Sequence, residues 1–384
     1  MKLPAHLDHV RRLAEMLKSG GTDRAETITT VPIEEYHSPE RFKAERSTVF
    51  AKLPIIAATS DELGEPGTCL AHDSLGAPIL LVRGKDRVVR GLLNVCRHRN
   101  TRIVSEEGVQ NCRAFKCPYH NWVYGLDGAL IAVPQEHGFP GLDRAGMGLV
   151  PVPVEERHGL VWLAADRHAT IDLDGHLAGL GADFDAFGFG DHLLFRRERQ
   201  RRRTNWKLIA DAFLEAYHVR RLHSGTVGPF FADNEFSMDR VGRHIRTAVA
   251  RQTTGAALDR PVEEWRIGDD VTFAYFIFPC TVVVIQPDFL TILNFIPLSA
   301  DETEVDHIML IPDVPANAEE REHYDRAFEF MDTGVFSSED VWVAEQAHSV
   351  IRAQANEVMT LGTFEHGVKH FHDTLDTAIA ELSD

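Results

Sequence analysis

Apolar residues change their spacing along this chain, and each change marks a different kind of element. Leu7, Val10, Leu13 and Leu17 recur every three to four positions, the period of a helix with one packed face. Ser38-Pro39-Glu40 then sets a capping hydroxyl before a proline at the first helical position, which predicts a second helix start. Residues 1–49 therefore read as a helical segment that packs on a larger domain. Between 50 and 165 the pattern shortens to strand-length apolar runs such as PILLVRG, VVRGLLNVC, LVPVPVEE and GLVWLAA, separated by Gly, Pro and Asp. That punctuation predicts a small all-β domain.

At 166–192 the composition shifts to Gly, Asp and Phe (LAGLGADFDAFGFGD), which reads as a linker; Gly179-x-Gly181 follows no strand and lacks the full nucleotide fingerprint. Residues 204–223 predict a helix and 242–311 several long strands, including FAYFIFPCTVVVIQ and TEVDHIMLIPD. Residues 317–332 and 338–360 predict helices, with Asn317 and Ser338 as caps. Strands followed by helices give residues 166–384 an α+β fold on an antiparallel sheet. The chain carries no internal repeat.

The 384 residues give room for two domains, and 44% hydrophobic residues suffice for real cores. No apolar run reaches the roughly 18 residues of a membrane span, and the N-terminus has no secretory apolar core. A formal charge of -18 disfavours nucleic acid as a partner. RRERQRRR, with Arg196, Arg197, Arg199, Arg201, Arg202 and Arg203, runs against that balance. It is read as a solvated strand edge, with a dock for an acidic electron donor as the alternative. Of five cysteines, Cys69, Cys112 and Cys280 are scattered and read as structural thiols, which places the chain in a reducing cytoplasm.

The remaining two cysteines carry the chemistry. Cys96-x-His98 is followed, after eighteen residues, by Cys117-x-x-His120. Two thiolates and two imidazoles from two loops can clamp a [2Fe–2S] cluster, with His replacing Cys on one iron, the Rieske signature. The same ligands suit tetrahedral zinc, but zinc motifs pair like ligands in each half, whereas here each half is mixed. Pro118, Tyr119 and Trp122 fit a tight loop shielding a cluster.

A second constellation lies in NWKLIADAFLEAYHVRRLH, which holds Glu215, His218 and His223. Two histidines and one carboxylate form the facial triad of non-heme Fe(II) sites with open positions. His218 and His223 are five apart and would not converge on an ideal helix, so a π-bulge or a helix end is expected between them. His366, His370 and His372 in HGVKHFH have zinc-like spacing without a completing ligand. Phe273, Phe276, Phe278, Phe289 and Phe295 are candidates for a substrate pocket, and each alone reads as core.

NWK…E-x-Y-H-x4-H after a Rieske motif resembles the α subunits of Rieske non-heme iron aromatic-ring-hydroxylating oxygenases along nearly the whole chain. The resemblance implies a small all-β Rieske domain at 50–165 and a helix-grip (START/Bet v 1-like) catalytic domain at 166–384. It implies a [2Fe–2S] cluster on Cys96, His98, Cys117 and His120, and a mononuclear Fe(II) on His218, His223 and, from SSEDVWVAEQAH, Asp340. Glu345 matches the pattern after that aspartate, and His348 stands where Gln is commoner. Glu215 would bridge His218 to the cluster histidine, His120, of a neighbouring protomer in a homotrimer. Ala210-Asp211 departs from the commoner Glu-Asn, and Asp211 is expected either near the iron, tuning substrate choice, or as an ordinary capping carboxylate. The respiratory Rieske type has extra loop cysteines, whereas Arg97, Arg99, Asn100 and Tyr119 stand in these loops.

The implied activity is that of a terminal oxygenase, fed from NAD(P)H by a ferredoxin or flavin reductase and adding oxygen from O2 to a small organic substrate. The phenylalanines favour an apolar aromatic compound, hydroxylated, dihydroxylated or demethylated, as in aromatic hydrocarbon catabolism. The E-x-Y-H variant resembles members acting on quaternary ammonium compounds, which is the alternative. Two rivals of other classes are a Rieske electron carrier and a ligand-binding protein with a zinc-stapled β domain.

Overall fold

The structure is a computed structural model that describes residues 4–73, 76–106, 108–353 and 355–383. It divides into two compact units, one made of Met1–Val49 with Asp174–Asp384, the other of Phe50–Leu173. The second unit runs past the boundary expected at 165.

Among its described residues Phe50–Leu173 is mainly β, with single helical turns at Val49–Lys52, Glu136–Gly138 and Ala145–Met147. Its five-stranded antiparallel sheet takes the order Pro151–Val152, Val89–Leu93, Ile79–Arg83, Thr68–His72, Val109–Asn111. Smaller sheets pair Val154–Arg157 with Leu160–Leu163 and Ile55–Thr59, and Phe115–Lys116 with Val123–Tyr124 and Leu130–Ala132. The run PILLVRG contains a strand buried on both faces, which is why it lacks polar alternation. Cys69 and Cys112, scattered in sequence, bring their Sγ atoms to 3.0 Å, and Cys280 is buried in the other unit.

The larger unit is built on a seven-stranded antiparallel sheet. Its order is Leu193–Arg202, Glu302–Ile311, Leu290–Ser299, Thr281–Ile285, Val271–Ile277, His244–Arg251, Phe231–Val241. All of the arginine run but Arg203 lies on the edge strand Leu193–Arg202, and Arg196, Arg197, Arg199 and Arg202 contact carboxylates. Arg197 holds Asp306 with two bonds of 2.7 and 2.6 Å, and Arg196 contacts Glu329. FAYFIFPCTVVVIQ splits into two strands at the turn around Pro279.

The N-terminal segment carries more than helices. Ser38 caps Pro39–Ser47 by accepting the Arg41 N–H, as its sequence predicts, but Thr29–Pro32 forms a strand against Val358–Leu361. The second strand lies in a region whose sequence reads as helix to residue 360; that helix ends at Val350. Residues 173–191, read as a linker, form short helices, and their buried Asp183 binds His6, Arg246 and Tyr275. Asn317 caps Ala318–Glu329 through the Glu320 N–H. Ser338 is no cap: it lies inside a π-helix, Phe330–Asp340, which passes directly into Val341–Val350.

Candidate metal centres

The two Cys/His loops close in the same way. The Cys96 N–H bonds the Thr101 carbonyl at 2.8 Å and the Asn100 N–H bonds the Cys96 carbonyl at 3.0 Å. In the second loop the Cys117 N–H bonds the Trp122 carbonyl at 2.9 Å and the Asn121 N–H bonds the Cys117 carbonyl at 3.0 Å. Each turn is completed by an asparagine in the left-handed region, Asn100 at φ 57° and Asn121 at φ 58°. Asparagine tolerates that region better than other side chains except glycine. The loops face each other: the His98 and His120 rings are 4.7 Å apart, and His98 lies flat on Trp122 at 4.9 Å. Trp122 is buried beneath them, whereas Tyr119, expected as a shield, is exposed.

The donor atoms suit a cluster. Cys96 and Cys117 are buried, and burial together with the neighbouring Cys96 sulfur pushes the Cys117 thiol up. The Nδ1 atoms of both His98 and His120 are buried with no hydrogen-bond partner. Buried polar atoms are rarely left unpaired, so two orphaned imidazole nitrogens beside two buried thiols mark positions for ligated iron. Tyr124 supports the first loop, its hydroxyl accepting the Arg97 N–H at 3.0 Å and lying 3.3 Å from Cys96 Sγ.

In the larger unit the predicted helix over 204–223 is two helices, Trp206–Ala212 and Val219–Leu222. Asn205 starts the first by accepting the Lys207 N–H at 3.1 Å. Lys207, fully buried, reaches the equally buried Glu45 carboxylate at 2.5 Å, and the Trp206 indole N–H donates to the same carboxylate. The break that follows is a helix end of the kind the histidine spacing requires. His218 and His223 flank the single turn Val219–Leu222, and their rings lie 5.2 Å apart. Gly228 permits this tight path, since a Cβ there would stand 2.6 Å from the His223 carbonyl oxygen.

The π-helix delivers Asp340 to the same point. Asp340 Oδ1 lies 3.5 Å from His218 Nε2 and 3.2 Å from His223 Nε2, and the ligand atoms of all three residues lie within 4.8 Å of one another. Each imidazole is fixed from behind. Glu215 Oε1 takes His218 Nδ1 at 2.5 Å, and Glu339 Oε2 takes His223 Nδ1 at 2.7 Å while accepting the Thr226 hydroxyl at 2.6 Å. With Nδ1–H donated backwards, Nε2 presents its lone pair forwards, as metal-binding imidazoles do. Burial disfavours charge on His218, but the Asp340 and Glu215 carboxylates outweigh it: with a proton as the only cation on offer at Nε2 the pKa rises to about 10, and a metal ion would take that proton's place. A site so rich in negative charge accepts a cation.

Glu339 is the functional residue that the sequence reading missed. It stands beside Asp340 in the SSED motif, at the end of the π-helix, and contacts His223 at Nδ1, the ring nitrogen opposite the one that Asp340 faces.

Glu215, His218, His223 and Asp340 all line one cavity of about 310 Å³ on the sheet. Its walls include Phe213, Phe230, Phe231, Phe289, Phe330 and Phe336. Of the five strand phenylalanines proposed from sequence only Phe289 is among them; Phe273, Phe276, Phe278 and Phe295 are core. Asp211 is not brought to the cavity. Its carboxylate accepts the Tyr36 hydroxyl at 2.6 Å and lies 3.2 Å from His372 Nε2, which rules out the expected place at the triad. The HGVKHFH histidines do not converge on a metal either: His372 joins Asp211 and Tyr36, and His366 faces Asp23 at 3.5 Å. Glu345 accepts the Arg203 N–H, and His348 contacts Asp301 at 2.9 Å.

Comparison with known proteins gives a family match in each unit. Residues 54–148 match the Rieske [2Fe-2S] domain, and residues 188–381 match the ring hydroxylating alpha subunit (catalytic domain). The chain is 30% identical over 362 residues to the carnitine monooxygenase oxygenase subunit of Escherichia coli (strain K12), covering 90% of this chain and 92% of that one. It is 26% identical over 358 residues to the chloroplastic choline monooxygenase of Beta vulgaris, covering 90% and 76%. Among solved structures, a quaternary ammonium Rieske monooxygenase in complex with L-carnitine superposes with a TM-score of 0.77 at 23% identity, covering 93% and 96%. Naphthalene 1,2-dioxygenase from Rhodococcus sp. bound to indole superposes at 0.78 with 20% identity, covering 99% and 100%. The two likenesses to solved structures show the shared fold. A catalytic domain as well as the cluster domain removes the carrier and zinc-staple readings, and electrons reach such enzymes from a partner reductase or ferredoxin. The chain belongs to the ring-hydroxylating oxygenase α subunits: it is a terminal Rieske oxygenase whose cofactors are a [2Fe–2S] cluster and a mononuclear iron.

Proposed function

We propose that this oxygenase is a monooxygenase of a small quaternary ammonium compound. The observation that carries the reading is the phenylalanine wall of the triad cavity, taken with full-length relatives that are carnitine and choline monooxygenases. A tetraalkylammonium has no N–H to donate and is held by aromatic faces, each worth about 2 kcal/mol when water is excluded. The same wall would also pack an aromatic ring. The relatives do not support that expectation: the biphenyl 2,3-dioxygenase α subunit of Rhodococcus jostii (strain RHA1) matches over only 48% of this chain.

In this reading Cys96, His98, Cys117 and His120 hold the cluster, and His218, His223 and Asp340 hold the iron. The iron supplies oxygen activation at positions left open by three protein ligands. The protein's own work is to fix both imidazoles through Glu215 and Glu339 and to exclude water with the phenylalanines. Glu215 also carries the electronic link to the cluster histidine of a neighbouring protomer, within a homotrimer served by a separate ferredoxin or flavin reductase. Glu215→Ala is then expected to keep both metals and lose most turnover.

The test is a single turnover of the reduced holoprotein under labelled O2 with a mixed panel of quaternary ammonium and aromatic compounds, read by product mass. One labelled atom in a quaternary ammonium product, or in a fragment of it, is expected. Two labelled atoms in an aromatic cis-diol would overturn the reading.

A further inference from the structure

Arg251 ends the strand His244–Arg251, and period-two alternation sets it on the same face as Thr247 and Val249, which also line the triad cavity. Its guanidinium stands 5.3 Å over the Phe231 ring, and its Nη1 donates to Thr272 Oγ1 at 3.1 Å. Among the described residues no carboxylate lies within ion-pair distance of it. Comparable arginines in this unit are treated differently. Arg197 grips Asp306, Arg246 bridges Asp183 and Asp239, and Arg41 contacts Glu35, Glu45 and Asp376. Burial lowers the Arg251 pKa, with only the more distant charge of Asp269 opposing it.

A half-buried guanidinium uses one of its five donors on Thr272 and has no counter-ion from its own chain. Withdrawing a charge from water without a partner is costly, and an anion from the ligand would offset that cost. A planar fork matches a carboxylate with two parallel bonds. The cavity therefore has two electrically distinct features: the carboxylates Glu215 and Asp340 at the triad, and the cation Arg251 in the sheet wall.

We propose that Arg251 is a carboxylate-binding subsite, so that the substrate is a zwitterion bearing both a quaternary ammonium and an acid group. This rests on the quaternary ammonium reading and divides its two branches, acid-bearing compounds against simple amino alcohols.

The experiment compares 4-(trimethylammonio)butanoate with its primary amide, using calorimetric Kd values on the holoprotein together with KM and kcat. The wild type is expected to favour the acid by about 10- to 100-fold, the range of a hydrogen bond to a charged partner. Arg251→Gln is expected to erase that preference by raising Kd and KM for the acid while kcat changes little, a loss of uniform binding. Arg251→Lys, which keeps the charge without the fork, should recover part of it, and an unchanged cluster spectrum and melting temperature would show that each variant folds. Equal wild-type affinity for acid and amide, or a preference that survives in a folded Arg251→Gln, overturns the subsite and leaves the quaternary ammonium reading standing. If neither compound binds while a neutral aromatic does, that reading falls and the subsite falls with it.

Discussion

In the smaller unit the two histidines sit on loops that the backbone closes by itself, with two N–H···O=C bonds across each turn and an asparagine in the left-handed region. In the larger unit the two histidines flank one helical turn, and side-chain carboxylates, Glu215 and Glu339, hold them from behind. The first arrangement is local: each loop carries its own Cys, His and closing residue within six positions. The second is assembled from segments more than a hundred residues apart, down to the 2.7 Å contact of His223 with Glu339. Local closure fixes loop shape whatever the rest of the chain does. An assembled triad is only as firm as the elements that carry it, and removing its parts should act separately from the cluster.

The strongest break in that comparison is Asp340→Ala. It removes the one carboxylate facing both Nε2 atoms, so iron should fall from about three to about two per chain, the count for a cluster without its mononuclear partner. Turnover should drop to background while the cluster's visible spectrum stays. Metal analysis and absorbance on the same sample check this, and a cluster lost together with the mononuclear iron would refute the independence of the two sites.

Next in size is the buried pair under the triad's first helix. Lys207→Met leaves the buried Glu45 carboxylate with the Trp206 N–H and with Arg41 still paired to it, so the loss should stay below the about 3–5 kcal/mol of a buried charge left with no partner. Chemical unfolding followed by tryptophan fluorescence should show that loss. The Glu45→Gln, Lys207→Met double variant should recover part of it, because the buried carboxylate is gone while Arg41 keeps Glu35 and Asp376.

Glu339→Ala is a smaller and more local cut. His223 keeps its place on the turn but loses the acceptor for Nδ1–H, and partners of this kind are worth about 10- to 100-fold in metal affinity. Iron retention against a graded chelator measures it. Glu339→Gln, which keeps an acceptor oxygen, should recover part of the loss.

The difference between the regions also explains what could be seen in the sequence. The cluster loops were legible because ligand identity, spacing and loop closure all lie in two short strings. His218 and His223 were legible as a pair whose spacing demanded a helix end, and Asp340 through family resemblance. Glu339 was hidden because its partner, His223, is 116 residues away and nothing in the SSED string itself points to it. Asp211 failed for the opposite reason: its position is near the histidines in sequence, but Tyr36 and His372, from both ends of the chain, draw its carboxylate away. The strand Thr29–Pro32 escaped notice because its partner is more than three hundred residues on, and a four-residue edge has no periodicity to detect.

The smallest prediction sharpens the local side of the comparison. Asn100 and Asn121 hold φ near 57° and 58°, where a side chain with a Cβ costs on the order of 1 kcal/mol unless it is asparagine or glycine. Asn121→Ala should therefore speed thermal bleaching of the cluster by an amount equivalent to about 1 kcal/mol, and Asn121→Gly should leave it nearly unchanged, since glycine adopts that region freely. Asn100→Ala should behave alike, because its loop is closed by the same pair of backbone bonds. If each loop is closed by its own backbone, the two alanine costs add to within about 0.5 kcal/mol even though the loops face each other, as independent sites do. A double variant much worse than the sum would mean that the loops hold each other through the cluster, and that their likeness to one another matters more than their independence.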